Sequence, residues 1–215
     1  MSTVNKDLSH LKPFTEEVTG VILAGGKSLR FGRNKSFVEI NGTRLIERVV
    51  HVLKLVFKHI IIITNSPQEY LSLGLPTYED IIKGLGPIGG IYTGLEAIKD
   101  EKGFFVACDM PFINEDLVRY IVGVSYSFDV VVPKIDWRIE PLHALYSKSC
   151  LPTIKDLIAS NIYQIRKTFQ TLHVRYVDET EIKSHDPQMR SFMNINRQNE
   201  LLDIMKSSGE CDFTK

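Results

Sequence analysis

Four consecutive isoleucines, Ile60 to Ile63, constrain this chain more than any other feature. Successive side chains of a strand point to opposite faces, so an unbroken β-branched run must be covered on both. The run is short and bounded by Asn65-Ser66-Pro67, so His59–Thr64 reads as a strand buried on both faces. Similar apolar runs recur at Val18–Ala24, which stops at Gly25-Gly26, at Phe104–Cys108, which stops at Asp109-Met110-Pro111, and at Asp129–Pro133. Between them lie helical patterns. Leu45, Ile46, Val49, Val50, Leu53 and Val56 recur at helical spacing, Ile91–Lys99 follows a Gly-rich loop, and Asn114 caps a helix running to about Val122. Strands alternating with helices in this way predict an α/β fold with a mostly parallel central sheet. A short strand at Phe37–Ile40 ends in the turn dipeptide Asn41-Gly42. The last third is mixed: strands near Leu142–Tyr146 and His173–Val177, helices near Leu151–Ala159 and Ile162–Phe169, and a final helix after Asn196.

Charge and cysteine content narrow the function classes. The 215 residues hold 26 Lys+Arg against 26 Asp+Glu, a net charge of zero, which argues against a general nucleic-acid coat. Cys108, Cys150 and Cys211 are too scattered for a disulfide framework or a zinc site. Met1 to Glu17 lacks the apolar run of a signal peptide, and no apolar stretch approaches the roughly 20 residues of a membrane span. The expectation is a cytoplasmic protein with a polar extension at 1–17, one domain at 18–206 and a tail at 207–215.

Ligands of open α/β sheets sit outside the carboxyl ends of the strands. The first such end is Leu23-Ala24-Gly25-Gly26, followed by Lys27, Arg30, Arg33 and Lys35 with no acid among them. Glycines let backbone N–H groups approach an anion, and the cations suit a polyphosphate. The bland alternative is a flexible basic surface loop. Gly26-Lys27-Ser28 is not a Walker A loop, because position 21, where that motif needs Gly, is Val. The second candidate, Gly84-Leu85-Gly86-Pro87-Ile88-Gly89, satisfies G-x-G-x-x-G by letter, with Asp109 roughly 20 residues on. A dinucleotide site therefore competes with a loop holding a base or ribose by its backbone, and with a helix entry whose glycines serve packing. Tyr78–Lys83 is a poor buried strand, however, and Pro87 removes a donor. The third, Asp109 at a strand end, suits Mg²⁺, which is often held by one or two carboxylates plus substrate phosphates; a helix cap is the alternative. Asp80 is a weaker candidate. Cys108 reads as a core thiol beside the site. His143 either touches a second substrate or is a satisfied, half-buried histidine.

Four motifs together resemble the molybdenum cofactor guanylyltransferases, within the nucleotidyltransferase superfamily. They are Leu23-Ala24-Gly25-Gly26-x-Ser28-x-Arg30-Phe31-Gly32-x-x-Lys35, Gly86-Pro87-Ile88-Gly89-Gly90-Ile91, Cys108-Asp109-Met110-Pro111 and Asn194-Ile195-Asn196, spread over about residues 18 to 205. The resemblance implies a Rossmann-like, three-layer α/β/α domain that transfers GMP from GTP to the terminal phosphate of molybdopterin cofactor and releases pyrophosphate. It implies that Leu23, Ala24, Gly25 and Gly26 approach the GTP and that Lys35, with Arg30, contacts its phosphates. Asp109 would bind Mg²⁺. Asn65 and Asp80 match nucleotide-binding positions, Gly86 and Gly89 fall in the loop that favours a purine, and Asn194 and Asn196, with His143, fall on the pterin side. The implied partners are GTP, molybdopterin cofactor and, transiently, proteins that supply the cofactor or mature molybdoenzymes, with no nucleic acid or membrane. Phe31 stands where the family usually has Met, and Arg197-Gln198 where it often has Thr-Pro. The competing readings are a cytidylyl- or sugar-1-phosphate nucleotidyltransferase, a non-catalytic nucleotide-binding protein and an NAD(P) oxidoreductase.

Overall fold

A computed structural model describes residues 17–25 and 34–193. The expected extension, the tail, the final helix after Asn196 and the stretch 26–33 lie outside them. The chain opens with β1 (Val18–Leu23), a one-turn 3-10 helix at Lys35–Phe37, the hairpin β2 (Glu39–Ile40) and β3 (Thr43–Arg44), α1 (Leu45–Val56) and β4 (Ile60–Ile63). A 3-10 segment at Pro67–Leu73 leads to β5 (Thr77–Tyr78), α2 (Pro87–Ala97), β6 (Lys102–Ala107) and α3 (Glu115–Gly123). Then come β7 (Val130–Ile135), β8 (Arg138–Ile139), β9 (His143–Ser147), α4 (Leu151–Ala159), β10 (Val174–Val177) and α5 (Glu179–His185).

The main sheet runs in the order β5–β4–β1–β6–β9–β7–β10, with β8 paired to the end of β7. The β4/β5, β1/β4, β1/β6 and β7/β10 pairs are parallel, and β9 is antiparallel to both neighbours. Two antiparallel steps restore direction, so β7 points the same way as β1 and β6. Side-chain alternation divides the core into two layers. Ile22, Ile60, Ile62, Phe104 and Val106 pack with residues of α1, α3 and α5. Val21, Leu23, Ile61, Ile63 and Phe105 pack with residues of α2 and α4. The isoleucine run is thus shared between two cores, which is why no polar residue interrupts it.

Local chemistry fixes the element ends. Asn41 and Gly42 both adopt positive φ, 50° and 75°, and close the β2–β3 hairpin. The Arg44 N–H donates to the Glu47 carboxylate at 2.9 Å at the start of α1. Asn114 Oδ1 accepts from the N–H groups of Asp116 and Leu117 at 2.8 and 3.2 Å, the cap anticipated for α3. Two expectations shift. The helix expected from Ile91 begins at Pro87, because a first-turn position has no intrahelical use for the N–H that proline lacks. The helix expected at Ile162–Phe169 is a 3-10 segment at Ile165–Gln170. Gly94 of α2 permits a close helix–sheet approach: a Cβ there would lie 2.5 Å from Phe105 Cε1.

Candidate active site

The chain leaves β1 for β4 and β5 on one side, then returns to β6 on the other, so the order reverses at β1. Ligands of open α/β sheets bind in the crevice at such a switch point. In register, Leu23 at the end of β1 lies between Ile63 of β4 and Ala107 of β6. The Ala24 N–H donates to Ile63 O at 2.9 Å and the Cys108 N–H to Leu23 O at 3.1 Å, which extends the alignment one residue past the strands. Leu23 and Ala24 are buried, whereas Gly25 is exposed and a Cβ there would meet nothing within 4 Å.

Two polar pairs stand on this edge. Lys35 Nζ lies 2.8 Å from Asp109 Oδ2, with the two side chains only 12% and 25% exposed, so water screens their attraction incompletely. Beside them, Asn65 Nδ2 donates to Asp80 Oδ2 at 2.6 Å. Asn65 follows β4 and Asp80 follows β5, and the pairing of Ile63 with Tyr78 brings these exits together. The other Asp80 oxygen, Oδ1, is inaccessible to water and has no hydrogen-bond partner among the described residues.

A network under the edge ties the two main exits together. Tyr70, wholly buried, places its hydroxyl 2.9 Å from Asn34 Nδ2, 3.0 Å from Ser36 Oγ and 3.3 Å from Ala24 O. Ser36 Oγ donates to Cys108 Sγ at 3.1 Å, and Asn34 Nδ2 also donates to Glu69 at 2.6 Å. The hydrogens run in one direction: Asn34 to Tyr70, Tyr70 to Ser36 or Ala24, Ser36 to Cys108. Lys35 sits between Asn34 and Ser36, and Asp109 follows Cys108. Burial is the main cause that raises the Tyr70 hydroxyl pKa. Burial, with neighbouring Asp109, pushes the Cys108 thiol up to about 11, so it is protonated and no nucleophile near neutral pH.

Residues 20–176 match the family described as the MobA-like NTP transferase domain. A protein of Clostridium perfringens named a probable molybdenum cofactor guanylyltransferase is 38% identical over 191 residues, 87% of this chain and 96% of its own. The chain belongs to that family. A molybdenum cofactor guanylyltransferase of Desulfosudis oleivorans is 37% identical over 188 residues, 86% of this chain and 93% of its own. The crystal structure of molybdopterin-guanine dinucleotide biosynthesis protein A from Archaeoglobus fulgidus superimposes with a TM-score of 0.77 at 26% identity, over 90% of this chain and 100% of its own. The protein is a nucleotidyltransferase, and the expected α/β architecture is the family's.

For this guanylyltransferase relative, the site residues read from the sequence divide into three groups. Lys35 meets Asp109, and Asn65 meets Asp80, as described above. Gly26, Arg30, Asn194 and Asn196 lie outside the described residues. Two more lie deeper than the sequence suggests. Gly89 is buried in the first turn of α2, its N–H bonded to Gly86 O at 3.1 Å, so its smallness serves packing; Gly86, at φ 68°, stays on the surface. His143 is wholly buried rather than a satisfied, half-buried histidine. Its ring stands edge-on to Phe104 and Phe192, each at 5.2 Å, and neither ring nitrogen has a partner among the described residues. The G-x-G-x-x-G stretch does not leave a strand directly, since residues 79–83 separate it from β5, so the dinucleotide context fails.

Sequence reading missed Asn34, Ser36, Glu69 and Tyr70. Asn34, as the cap of the Lys35–Phe37 turn, carried the usual capping signal, with Oδ1 accepting from the Ser36 N–H at 3.1 Å. Tyr70 carried none, because the 3-10 segment around it has no apolar period. Among the described residues no cluster of three or more His, Cys, Asp or Glu is placed to hold a metal, and no helix is long and apolar enough to cross a membrane. A cleft of about 500 Å³ at the opposite edge, lined by Glu17, Lys99, Asp100, Lys102 and Tyr126 among others, contains none of these site residues.

Proposed function

We propose that this protein transfers GMP from GTP to the terminal phosphate of molybdopterin cofactor, releasing pyrophosphate. The observation that carries this reading is the Lys35–Asp109 pair at the switch point, within the family already established. A cation and an acid side by side suit a triphosphate and the divalent ion that accompanies it. Asp109 fits Mg²⁺, because that ion commonly takes one or two protein carboxylates and fills its remaining positions with phosphate oxygens and water. When bound, it supplies charge neutralisation at the phosphates.

The chain's own residues supply position and charge. Lys35 would donate to the phosphate oxygens where negative charge grows, with Arg30 as its companion. Gly25 and Gly26 would let backbone N–H groups approach the same oxygens. The Asp80 carboxylate, oriented by the bond from Asn65, would accept from a nucleoside N–H or hydroxyl. A phosphate monoester has a second pKa of about 6, so it is largely dianionic at neutral pH. No side chain then needs to take its proton. Its oxygen forms the new bond to the α-phosphorus as the α–β bridge breaks and pyrophosphate leaves.

The test is pyrophosphate release with GTP or CTP, Mg²⁺, and molybdopterin cofactor present or absent. Release that requires both GTP and cofactor supports the reading. Release with CTP in place of GTP overturns it in favour of a cytidylyltransferase.

A further inference from the structure

The site has an unassigned flank. The candidate nucleoside residues Asn65 and Asp80 follow β4 and β5, and the phosphate residues Lys35 and Asp109 lie at the exits of β1 and β6. The part of the edge left for a second substrate whose phosphate reaches the α-phosphorus includes the ends of β9 and β7. There the β7–β8 hairpin projects past the end of the sheet. Its last rung to the body is the Glu140 N–H donating to Pro133 O at 3.0 Å, while Lys134 pairs with Ile139 and Ile135 with Arg138 beyond it. The return of the hairpin is joined to the site, because the Ala107 N–H, two residues before Asp109, donates to Leu142 O at 3.1 Å.

At the hairpin tip stands Trp137, the single tryptophan of the chain, 79% exposed. Its indole offers a flat apolar face, at the strand end that carries the other site residues, on which a flat ring can stack. On the return strand, the Glu140 carboxylate is half-buried and makes no ion pair within 4 Å among the described residues. Burial raises its pKa, and Arg138 and Arg166 pull it back down. Arg166 also braces the hairpin, donating to Ile139 O at 3.0 Å.

We propose that the β7–β8 hairpin is the subsite for the pterin ring of the second substrate, with Trp137 stacking on the ring and Glu140 receiving its N3–H and 2-amino donors. The chemistry matches group for group. A pterin offers a π-face and an edge with two neighbouring N–H donors; an indole stacks on the first and a carboxylate accepts both of the second. The proposal rests on the guanylyltransferase reading, because that reading supplies a pterin as substrate.

The test uses the full-length protein and the probe 6-hydroxymethylpterin, with lumazine, which lacks the 2-amino group, as its comparison. Trp137 emission is expected to fall on adding the pterin and not on adding GTP. Trp137→Ala is expected to weaken pterin binding about tenfold and raise KM for molybdopterin cofactor by a similar factor, with KM for GTP unchanged. Trp137→Phe restores most of the affinity, which a purely structural role of the indole would not produce. Glu140→Gln removes the preference for pterin over lumazine. If the wild type carries out transfer and Trp137→Ala keeps the same KM for the cofactor, the subsite is wrong while the reading of the reaction stands. If the wild type shows no GTP- and cofactor-dependent pyrophosphate release, the reading itself fails.

Discussion

Lys35 and Asp109 neutralise one another across 2.8 Å in a partly dry position, and in the proposed reaction Lys35 is expected to serve the phosphates and Asp109 the divalent ion that accompanies them. Replacing either with Ala is expected to cost about a hundredfold in turnover with the thermal melt little changed, since losing one preorganised electrostatic contact has that scale. Steady-state pyrophosphate release beside a melting curve measures both. Tyr70 works one step further back. Tyr70→Phe strips the hydroxyl from Ala24 O, Ser36 Oγ and Asn34 Nδ2, leaving buried groups short of a partner. The expected loss is about 1–3 kcal/mol of stability by denaturant unfolding, with a higher KM for GTP because Lys35 and Asp109 lose a shared anchor. His143 makes the fold acid-sensitive. Burial holds its pKa at about 4, against an ordinary 6.5, with Asp186 pulling the other way. Below pH 6.5 the unfolded chain takes up the proton first. This contribution is therefore complete above pH 6.5 and lost as pH falls toward 4, by about 3 kcal/mol in all. Urea midpoints at pH 7.5 and pH 5 should converge in His143→Leu relative to wild type; an unchanged difference would contradict the assignment.

Among the elements, α2 packs against β6 at Gly94 with no room for a Cβ. Gly94→Ala would drive its Cβ to 2.5 Å from Phe105 Cε1 and 3.0 Å from Val21 Cγ1, both residues fully buried. A loss of about 1–3 kcal/mol is expected from overpacking, read as a shift in denaturant midpoint. The elements were legible where one physical cause dominated. The isoleucine run, the apolar spacing of α1 and the Asn114 cap each announce themselves, and α4 falls at Leu151–Ala159 as read. The start of α2 was misread because Pro87 and two glycines look like loop, although proline suits a first turn and the buried glycines admit Leu85 and Leu23. Short pieces such as β5, β8 and the 3-10 segment at Pro67–Leu73 were missed, since two to seven residues without a period carry no signal. For the site, the strand-end motifs offered Lys35 and Asp109, and the family resemblance added Asn65 and the weaker candidate Asp80. The sequence could not show that they form two hydrogen-bonded pairs, because that follows from strand order, nor that Tyr70 lies beneath them.

The sheet orders chemistry along one edge of the whole molecule. Asn65 and Asp80 stand at the β4 and β5 exits, Lys35 and Asp109 at the centre, and the Trp137 hairpin at the β7 end. In the proposed guanylyl transfer, that order would run from nucleoside through phosphates to second substrate. The net charge of zero hides this polarity, because the cations after Gly25 are balanced by acids elsewhere in the chain. The most direct test is pyrophosphate release by the full-length protein with Mg²⁺, GTP and molybdopterin cofactor, each omitted in turn and GTP exchanged for CTP. Release only when GTP and cofactor are both present is the predicted result. Equal release without the cofactor, or with CTP in place of GTP, would contradict it.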